Sequence, residues 1–208
     1  MNTTSSKAGI RWFLASVISL FSGLTFGQSP AVGSGGVTIL IIRHAEKPVS
    51  GNGLSPLGQE RAEKYAEFFK AYSIGAHAVH LDALFSAKDS DASSRPRLTL
   101  EPLAKSLSLS LNTDFKTKGF ENLFRKLKGR EFMGKTILIC WRHGEIPDML
   151  TALSADPSVL LPEGKWPDDV FGWIVELHLD GTGSLKSVKV FNEKLMPGDT
   201  VNPPERSR

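Results

Sequence analysis

Two Arg-His pairs stand in this sequence, each directly after a run of apolar or β-branched residues. Arg43 and His44 follow "VTILII", and Arg142 and His143 follow "TILICW". Arginine presents a planar set of N–H donors that matches phosphate oxygens. Neutral imidazole can act as a nucleophile or a base near neutral pH. The pairs therefore predict a site that binds an anionic group and can attack it.

A third segment adds two more arginines. In "FSAKDSDASSRPRLTLEPLA", Arg95 and Arg97 lie at the start of a helix predicted from Ser94 to Leu107. The first turn of a helix favours anions, because its N–H groups are unpaired and its dipole is positive there. Either arginine could bind a phosphate group, and these residues alone leave that choice open.

Alternating strands and helices must bring these segments together. Strands are predicted at 37–42, 77–87 and 136–141, the first and last of them buried. A helix is predicted to begin at Ser55-Pro56, before the one at Ser94. This alternation predicts an α/β fold, a three-layer α/β/α sandwich with a mostly parallel central sheet. Ligands bind at the carboxyl ends of the strands in such sheets, which is where both Arg-His pairs lie.

The N-terminal segment predicts export. Lys7 and Arg11 precede an uncharged run of 15 residues, Trp12 to Phe26, which is shorter than the roughly 20 residues of a membrane span. Residues 1–27 are therefore predicted to be a signal peptide, with the mature chain beginning at Gln28 outside the cytoplasm, periplasmic or secreted. An uncleaved anchor is the alternative.

The remaining chain divides into three predicted parts. Residues 28–36 form a Pro/Gly/Ser linker, residues 37–195 form the domain, and the proline-rich residues 196–208 are predicted to be a disordered tail. Within the domain, "DGTG" between two strand-like segments near the end predicts a hairpin.

Composition argues against several classes of protein. The formal charge is +3, and residues 1–27 carry two of those positive charges, which leaves 3 − 2 = +1 on the mature chain. Such a small, scattered charge argues against a nucleic-acid partner. No metal-ligand spacing occurs in the sequence, and Cys140 lies inside an apolar run, as a small buried hydrophobe would.

In order along the chain, "LIIRHAEKP", "LSPLGQERA", "FSAKDSDASSRPRLTLEPLA" and "ILICWRHGEIP" resemble the motifs of the histidine phosphatase superfamily, with its phosphoglycerate-mutase-like fold. The resemblance implies a phosphoric monoester hydrolase that needs no metal or cofactor. It implies that His44 becomes phosphohistidine and that Arg43, beside it, is a substrate-binding residue that helps to hold the phosphoryl oxygens. It also places Arg95, ahead of Arg97, at the phosphate-binding arginine, and His143 at the second pocket histidine.

The order of the motifs decides between the two histidines. The residues after His143 contain one further histidine, His178, and only two arginines, Arg206 and Arg208 in the tail. They cannot build a phosphate pocket, so His44 is the expected nucleophile. A protonated His143 is expected to help hold the phosphoryl oxygens. A general acid should protonate the leaving group; Asp114 is the first choice, and the alternatives are Asp89, Asp91 and Glu145.

We therefore expect an exported phosphatase that acts on a small phosphorylated substrate, without a nucleic-acid partner and without stable membrane association after signal cleavage. One alternative is a relative that binds phosphate without turnover. The other is a phosphoglycerate mutase, which the short segment between Arg95 and Thr136 disfavours because it leaves little chain for a lid that would exclude water.

Overall fold

The computed structural model describes residue 1 and residues 35–205. The predicted signal peptide, apart from Met1, and residues 206–208 lie outside this range. The strands are β1 (Val37–Arg43), β2 (Ser73–Ile74), β3 (His77–Ala78), β4 (Ala83–Ser86), β5 (Leu111–Asn112), β6 (Thr136–Trp141), β7 (Trp173–Leu179) and β8 (Leu185–Asn192). The α-helices are α1 (Pro56–Lys70), α2 (Arg95–Leu107), α3 (Phe120–Leu127), α4 (Ile146–Ala152) and α5 (Pro157–Leu160).

Six strands form the central sheet, in the order β5-β4-β6-β1-β7-β8. The four strands from β5 to β1 are parallel to one another, whereas β7 runs antiparallel to both β1 and β8. The mostly parallel sheet confirms the predicted fold class.

A hydrophobic core covers each face of the sheet. On one face, alternate residues of β1 such as Ile39 and Ile41 pack with α3, α4 and α5. On the other face, Leu40 and Ile42 pack with α1 and α2. Strands buried on both faces read as continuous apolar runs, which is the pattern that the sequence of β1 and β6 displays. The result is the predicted three-layer sandwich.

Local sequence explains where α1 begins. The Ser55 hydroxyl accepts a hydrogen bond from the backbone N–H of Gly58, and Pro56 occupies the first helical position. The apolar face of the helix is buried as predicted, with Tyr65 and Phe69 at its centre.

The predicted strand from His77 to Ala87 is wrong in its first half. His77–Ala78 pairs with β2 in a separate two-stranded hairpin, which turns at Gly75 with a φ of +61°. The central strand begins only after Asp82, whose carboxylate accepts a hydrogen bond from the backbone N–H of Thr136 at 2.8 Å. Polar pairing at Asp82 therefore sets the start of β4.

The prediction of a disordered tail is corrected over residues 196–205. Met196 is buried, and the indole N–H of Trp173 donates to the carbonyl of Val201 at 2.7 Å. Asp199 forms an ion pair with the buried Arg61 at 2.7 Å. Specific polar partners therefore hold a segment whose composition suggested disorder.

Within the part of the chain that the structure describes, no helix is both long and apolar enough to cross a membrane.

Candidate active site

Two neighbouring parallel strands bring the Arg-His pairs together. β1 and β6 pair so that Arg43 lies opposite Trp141, and the backbone N–H of His44 donates to the Trp141 carbonyl at 2.9 Å. The imidazole rings of His44 and His143 lie 6.3 Å apart, edge to face. The carboxyl edge of the sheet is therefore the candidate site, as predicted from the topology.

His44 is held in one tautomer. Its Nδ1 lies 2.7 Å from the carbonyl oxygen of Ala45, so Nδ1 carries the proton and donates it. Nε2 has no hydrogen-bond partner among the described residues and is not among their buried unpaired atoms, so it keeps solvent access. Burial, together with the charges of Arg43 and Arg95, lowers the pKa of His44 to about 3. At neutral pH the ring is neutral, with its lone pair on Nε2.

Arg43 makes more contacts within the protein than the sequence predicted. Its Nη1 donates to the carbonyls of Pro167, Asp168 and Val170 at 2.9–3.0 Å. Its guanidinium also stacks on Phe171, 3.9 Å from the ring centroid. Burial lowers the pKa of Arg43 to about 10, so it remains charged. Arg43 therefore anchors the loop before β7, and its buried Nε–H is left without a partner.

His143 connects Arg43 to a carboxylate. Arg43 Nη2 donates to Nδ1 of His143 at 3.1 Å, which makes Nδ1 an acceptor. Nε2 then carries the proton and donates to Oδ1 of Asp168 at 2.8 Å. Burial and the Arg43 charge lower the pKa of His143, against the opposing effect of Asp168. The structure therefore shows a neutral His143, and our expectation of a protonated ring is corrected.

The structure separates Arg95 from Arg97. Arg95 is buried at the first position of α2, and its charge contributes to lowering the pKa of His44. Its Nη groups donate to the carbonyls of Gly51 and Ala92 at 3.3 Å, and its Nε–H is buried without a partner. Arg97 instead pairs with Asp89 and Glu101 at the surface. Arg95 is thus the arginine that lies beside His44.

A threonine hydroxyl connects β1 with α2. The backbone N–H of Ala45 donates to Oγ1 of Thr99 at 2.9 Å, and the same hydroxyl donates to the carbonyl of Arg95 at 2.8 Å. Thr99 is fully buried. Because the two bonds share one hydroxyl, the backbone next to His44 and the backbone of Arg95 are held in a fixed relation.

Within residues 35–205, none of the expected general acids forms a hydrogen bond with His44, His143, Arg43 or Arg95. Asp114 accepts a hydrogen bond from Asn112, just after β5. That strand lies three strand spacings, or about 14 Å, from β1. Asp89 is paired with Arg97, and neither Asp91 nor Glu145 makes a hydrogen bond to the pocket side chains within the described residues.

Sequence reasoning missed Asp168, the carboxylate that contacts His143. Because β7 is antiparallel to β1, Ile174 lies opposite Ile42, and the loop before β7 comes to the same edge as His44. The signal in the sequence was a Pro- and Asp-rich loop before a strand of unknown direction. The direction of β7 was needed to place that loop at the site.

Within residues 35–205, no group of three or more His, Cys, Asp or Glu side chains is arranged to hold a metal ion. The buried thiol of Cys140 lies in the core, where burial raises its pKa.

Solved structures share this fold. A phosphoglycerate mutase from Bacillus anthracis str. Sterne aligns at 13% identity over 74% of this chain and 92% of its own, with a TM-score of 0.50. A protein from Escherichia coli str. K-12, described as an α-ribazole-5′-P phosphatase, aligns at 12% identity over 76% of this chain and 97% of its own, also with a TM-score of 0.50. The protein histidine phosphatase SixA, complexed with tungstate, aligns at 18% identity over 72% of this chain and 92% of its own, with a TM-score of 0.49.

No protein-family model matches the sequence, and no curated protein matches it. The two structures with a TM-score of 0.50 are only 12–13% identical to this chain, so they show the fold alone, and that fold is phosphoglycerate-mutase-like.

Proposed function

We propose that this phosphoglycerate-mutase-like chain is a metal-independent phosphatase that hydrolyses small phosphate monoesters through a phosphohistidine on His44. One observation carries the proposal: the Ala45 carbonyl holds the proton on Nδ1, so the lone pair of His44 stands on the solvent-accessible Nε2. A neutral, fixed imidazole next to arginine N–H donors is what attack on phosphorus requires.

The reaction has two displacements. Nε2 of His44 attacks phosphorus, the new N–P bond forms as the ester P–O bond breaks, and the leaving oxygen takes a proton from solvent. Water then attacks the phosphohistidine, the N–P bond breaks, and inorganic phosphate leaves with His44 neutral again. Arg95 and the unpaired Nε–H of Arg43 offer positive charge and donors to the phosphoryl oxygens. These side chains replace a metal in neutralising the transferred group.

The packing of α3 supports hydrolysis over mutase transfer. A mutase must shield its phosphohistidine from water until the group is handed back. The chain between α2 and β6 contains α3, whose residues Phe120, Leu123, Phe124 and Leu127 are all buried in the core. A helix anchored in the core is poorly suited to move as a lid, which supports access of water to the proposed intermediate.

A second candidate is a relative that binds phosphate without turning it over. It is favoured by the commitment of both Nη groups of Arg43 to the protein and by the negative charge of Asp168 beside His143. Turnover of p-nitrophenyl phosphate separates the two candidates. We expect release of p-nitrophenol that His44→Ala abolishes and that His77→Ala, an exposed histidine of β3, leaves unchanged. Phosphate binding without any turnover would favour the second candidate.

We further propose that the protein acts outside the cytoplasm after removal of residues 1–27. This part of the proposal rests on the sequence, in which Lys7 and Arg11 precede an uncharged run. The intact mass of protein recovered from the native host tests it. A mature species beginning near Gln28 is expected, and a full-length species that fractionates with membranes would favour the anchor.

A further inference from the structure

Arg142 continues the alternation of β6 onto the face of the sheet that carries His44. Trp141 packs in the core with α3 and α4, and Cys140 packs in the core with α1 and α2. Arg142 has an extended backbone, with φ −82° and ψ 130°, so its side chain follows Cys140 to the α1/α2 face. In β1 the same alternation places His44 on the face of Ile42, which is also the α1/α2 face.

Arg142 brings a second charge close to Arg95. After the effect of burial, the Arg142 charge is what lowers the pKa of Arg95, so the two guanidiniums lie within electrostatic range of each other. Arg142 is partly buried, and it forms no hydrogen bond or ion pair with any residue in the range 35–205. Like charges held together without a carboxylate destabilise the empty site, and an anion placed between them would offset that repulsion.

Most N–H donors of Arg43 are not available to bind an anion. Its Nη1 group is occupied by three carbonyls and one hydrogen of Nη2 by His143, which leaves Nε–H and one Nη2 hydrogen for a ligand. A phosphate monoester dianion carries two charges. Arg95 and Arg142 are guanidiniums on the His44 face of the sheet that have no carboxylate partner within residues 35–205, unlike Arg61 and Arg97.

We infer that Arg142 is a substrate-binding residue that contacts the transferred phosphoryl group together with Arg95. Arg142 thereby makes phosphoryl contacts that the sequence analysis had assigned to Arg43. The main role of Arg43 is to hold the loop before β7. The inference rests on the proposed function in so far as it names the phosphoryl group as the ligand.

Binding of inorganic orthophosphate, measured by calorimetry on the full chain, tests the inference without turnover. Arg142→Gln is expected to raise the dissociation constant at least tenfold, and Arg142→Lys is expected to give a smaller increase because the charge remains. Arg97→Gln is the control, since that arginine is paired with Asp89 and Glu101. Circular dichroism of each variant checks that the fold is kept.

Two outcomes overturn the inference. One is a change of less than twofold for Arg142→Gln. The other is an equal change for Arg142→Gln and Arg97→Gln, which would indicate a general charge effect. The proposed function fails separately: if the wild-type chain shows no His44-dependent turnover while Arg142→Gln still weakens phosphate binding, Arg142 is a phosphate ligand in a protein that is not a phosphatase.

Discussion

The two histidines of the site differ in which ring nitrogen carries the proton. His44 donates from Nδ1 to a backbone carbonyl and leaves Nε2 free, whereas His143 accepts at Nδ1 from Arg43 and donates from Nε2. Fixed tautomers give the two rings different roles, since only His44 presents a lone pair to a substrate. His143 offers a neutral N–H donor, which Asp168 holds in the free protein.

The lowered pKa of His44 predicts that its ring stays neutral in mildly acidic solution. A histidine at its ordinary pKa of about 6.5 would be mostly protonated at pH 5, whereas one with a pKa of about 3 keeps its lone pair. We expect NMR of ¹⁵N-labelled histidine, assigned with His44→Ala, to show a neutral His44 ring from pH 8 to pH 5. A midpoint for His44 near 6.5 would contradict the tautomer and burial described above.

Asp168 predicts a change in phosphate affinity. Asp168→Asn removes the negative charge beside His143, so phosphate binding should tighten by about two- to fivefold, the scale of an exposed charge pair. The pKa of His143 should fall further, because Asp168 raises it. Calorimetry and NMR measure the two effects, and Asp169→Asn is the matched neighbour. Weaker phosphate binding in Asp168→Asn would show that orienting His143 outweighs repulsion.

Single residues were predictable where a motif fixes the spacing. The resemblance to the family's motif preferred Arg95 over Arg97, and the structure buries Arg95 at the start of α2 while Arg97 pairs at the surface. Asp168 could not be found in this way, because its role depends on a contact with His143 that crosses two elements.

At the scale of elements, the junction of β1 and α2 determines the position of His44 relative to Arg95. The hydroxyl of Thr99 accepts from Ala45 and donates to the Arg95 carbonyl in a fully buried position. A buried donor that loses its acceptor costs free energy, because it has no water to replace it. The stability of the fold and the geometry of the site are therefore linked at this one side chain.

Thr99→Val should lower both stability and activity. It keeps the shape of the side chain but leaves the Ala45 N–H unpaired, at a cost of about 1–3 kcal/mol in the free energy of unfolding. Urea unfolding and kcat/KM for p-nitrophenyl phosphate measure the two effects. Ser106→Ala, an exposed hydroxyl of the same helix that donates to the Leu103 carbonyl, should stay within about 0.5 kcal/mol. Equal effects of the two substitutions would contradict the link.

Elements were predictable where apolar periodicity was strong, and less so where polar contacts decide. The bounds of β1 and α2 followed from a continuous apolar run and from a helix start at Ser94-Arg95. The strand at 77–87 was overextended, because the bond from Thr136 to Asp82 that sets its start joins distant segments. The antiparallel direction of β7 likewise depends on its partner β1.

At the scale of the whole molecule, the chain after β8 returns to the first helix. Arg61 lies on the buried face of α1, and its guanidinium bonds to Glu46 at 2.8 Å and to Asp199 at 2.7 Å. Glu46 follows His44 by two residues, so the segment after β8 supports the backbone that follows His44. An arginine within an apolar helix face signals a buried partner, but the sequence does not say that Asp199 supplies it.

The segment after β8 should contribute to the stability of the fold. Asp199→Asn weakens two charge-assisted bonds to Arg61, and we expect a loss of about 2 kcal/mol in the free energy of unfolding, measured with urea. Glu205→Gln, an exposed acid in the same segment, should leave the unfolding midpoint unchanged. If Asp199→Asn leaves the free energy of unfolding unchanged, the original prediction of a disordered tail stands.

Trapping the phosphorylated enzyme tests the central claim most directly. Rapid acid-free quenching of the protein with a labelled phosphate monoester, followed by mass spectrometry of the peptide that contains His44, locates the phosphoryl group. We predict an acid-labile, alkali-stable phosphate on His44 that His44→Ala abolishes, because Nε2 of this residue carries the free lone pair. A label that persists in His44→Ala, or that is found on His143 in the wild-type chain, would contradict the account.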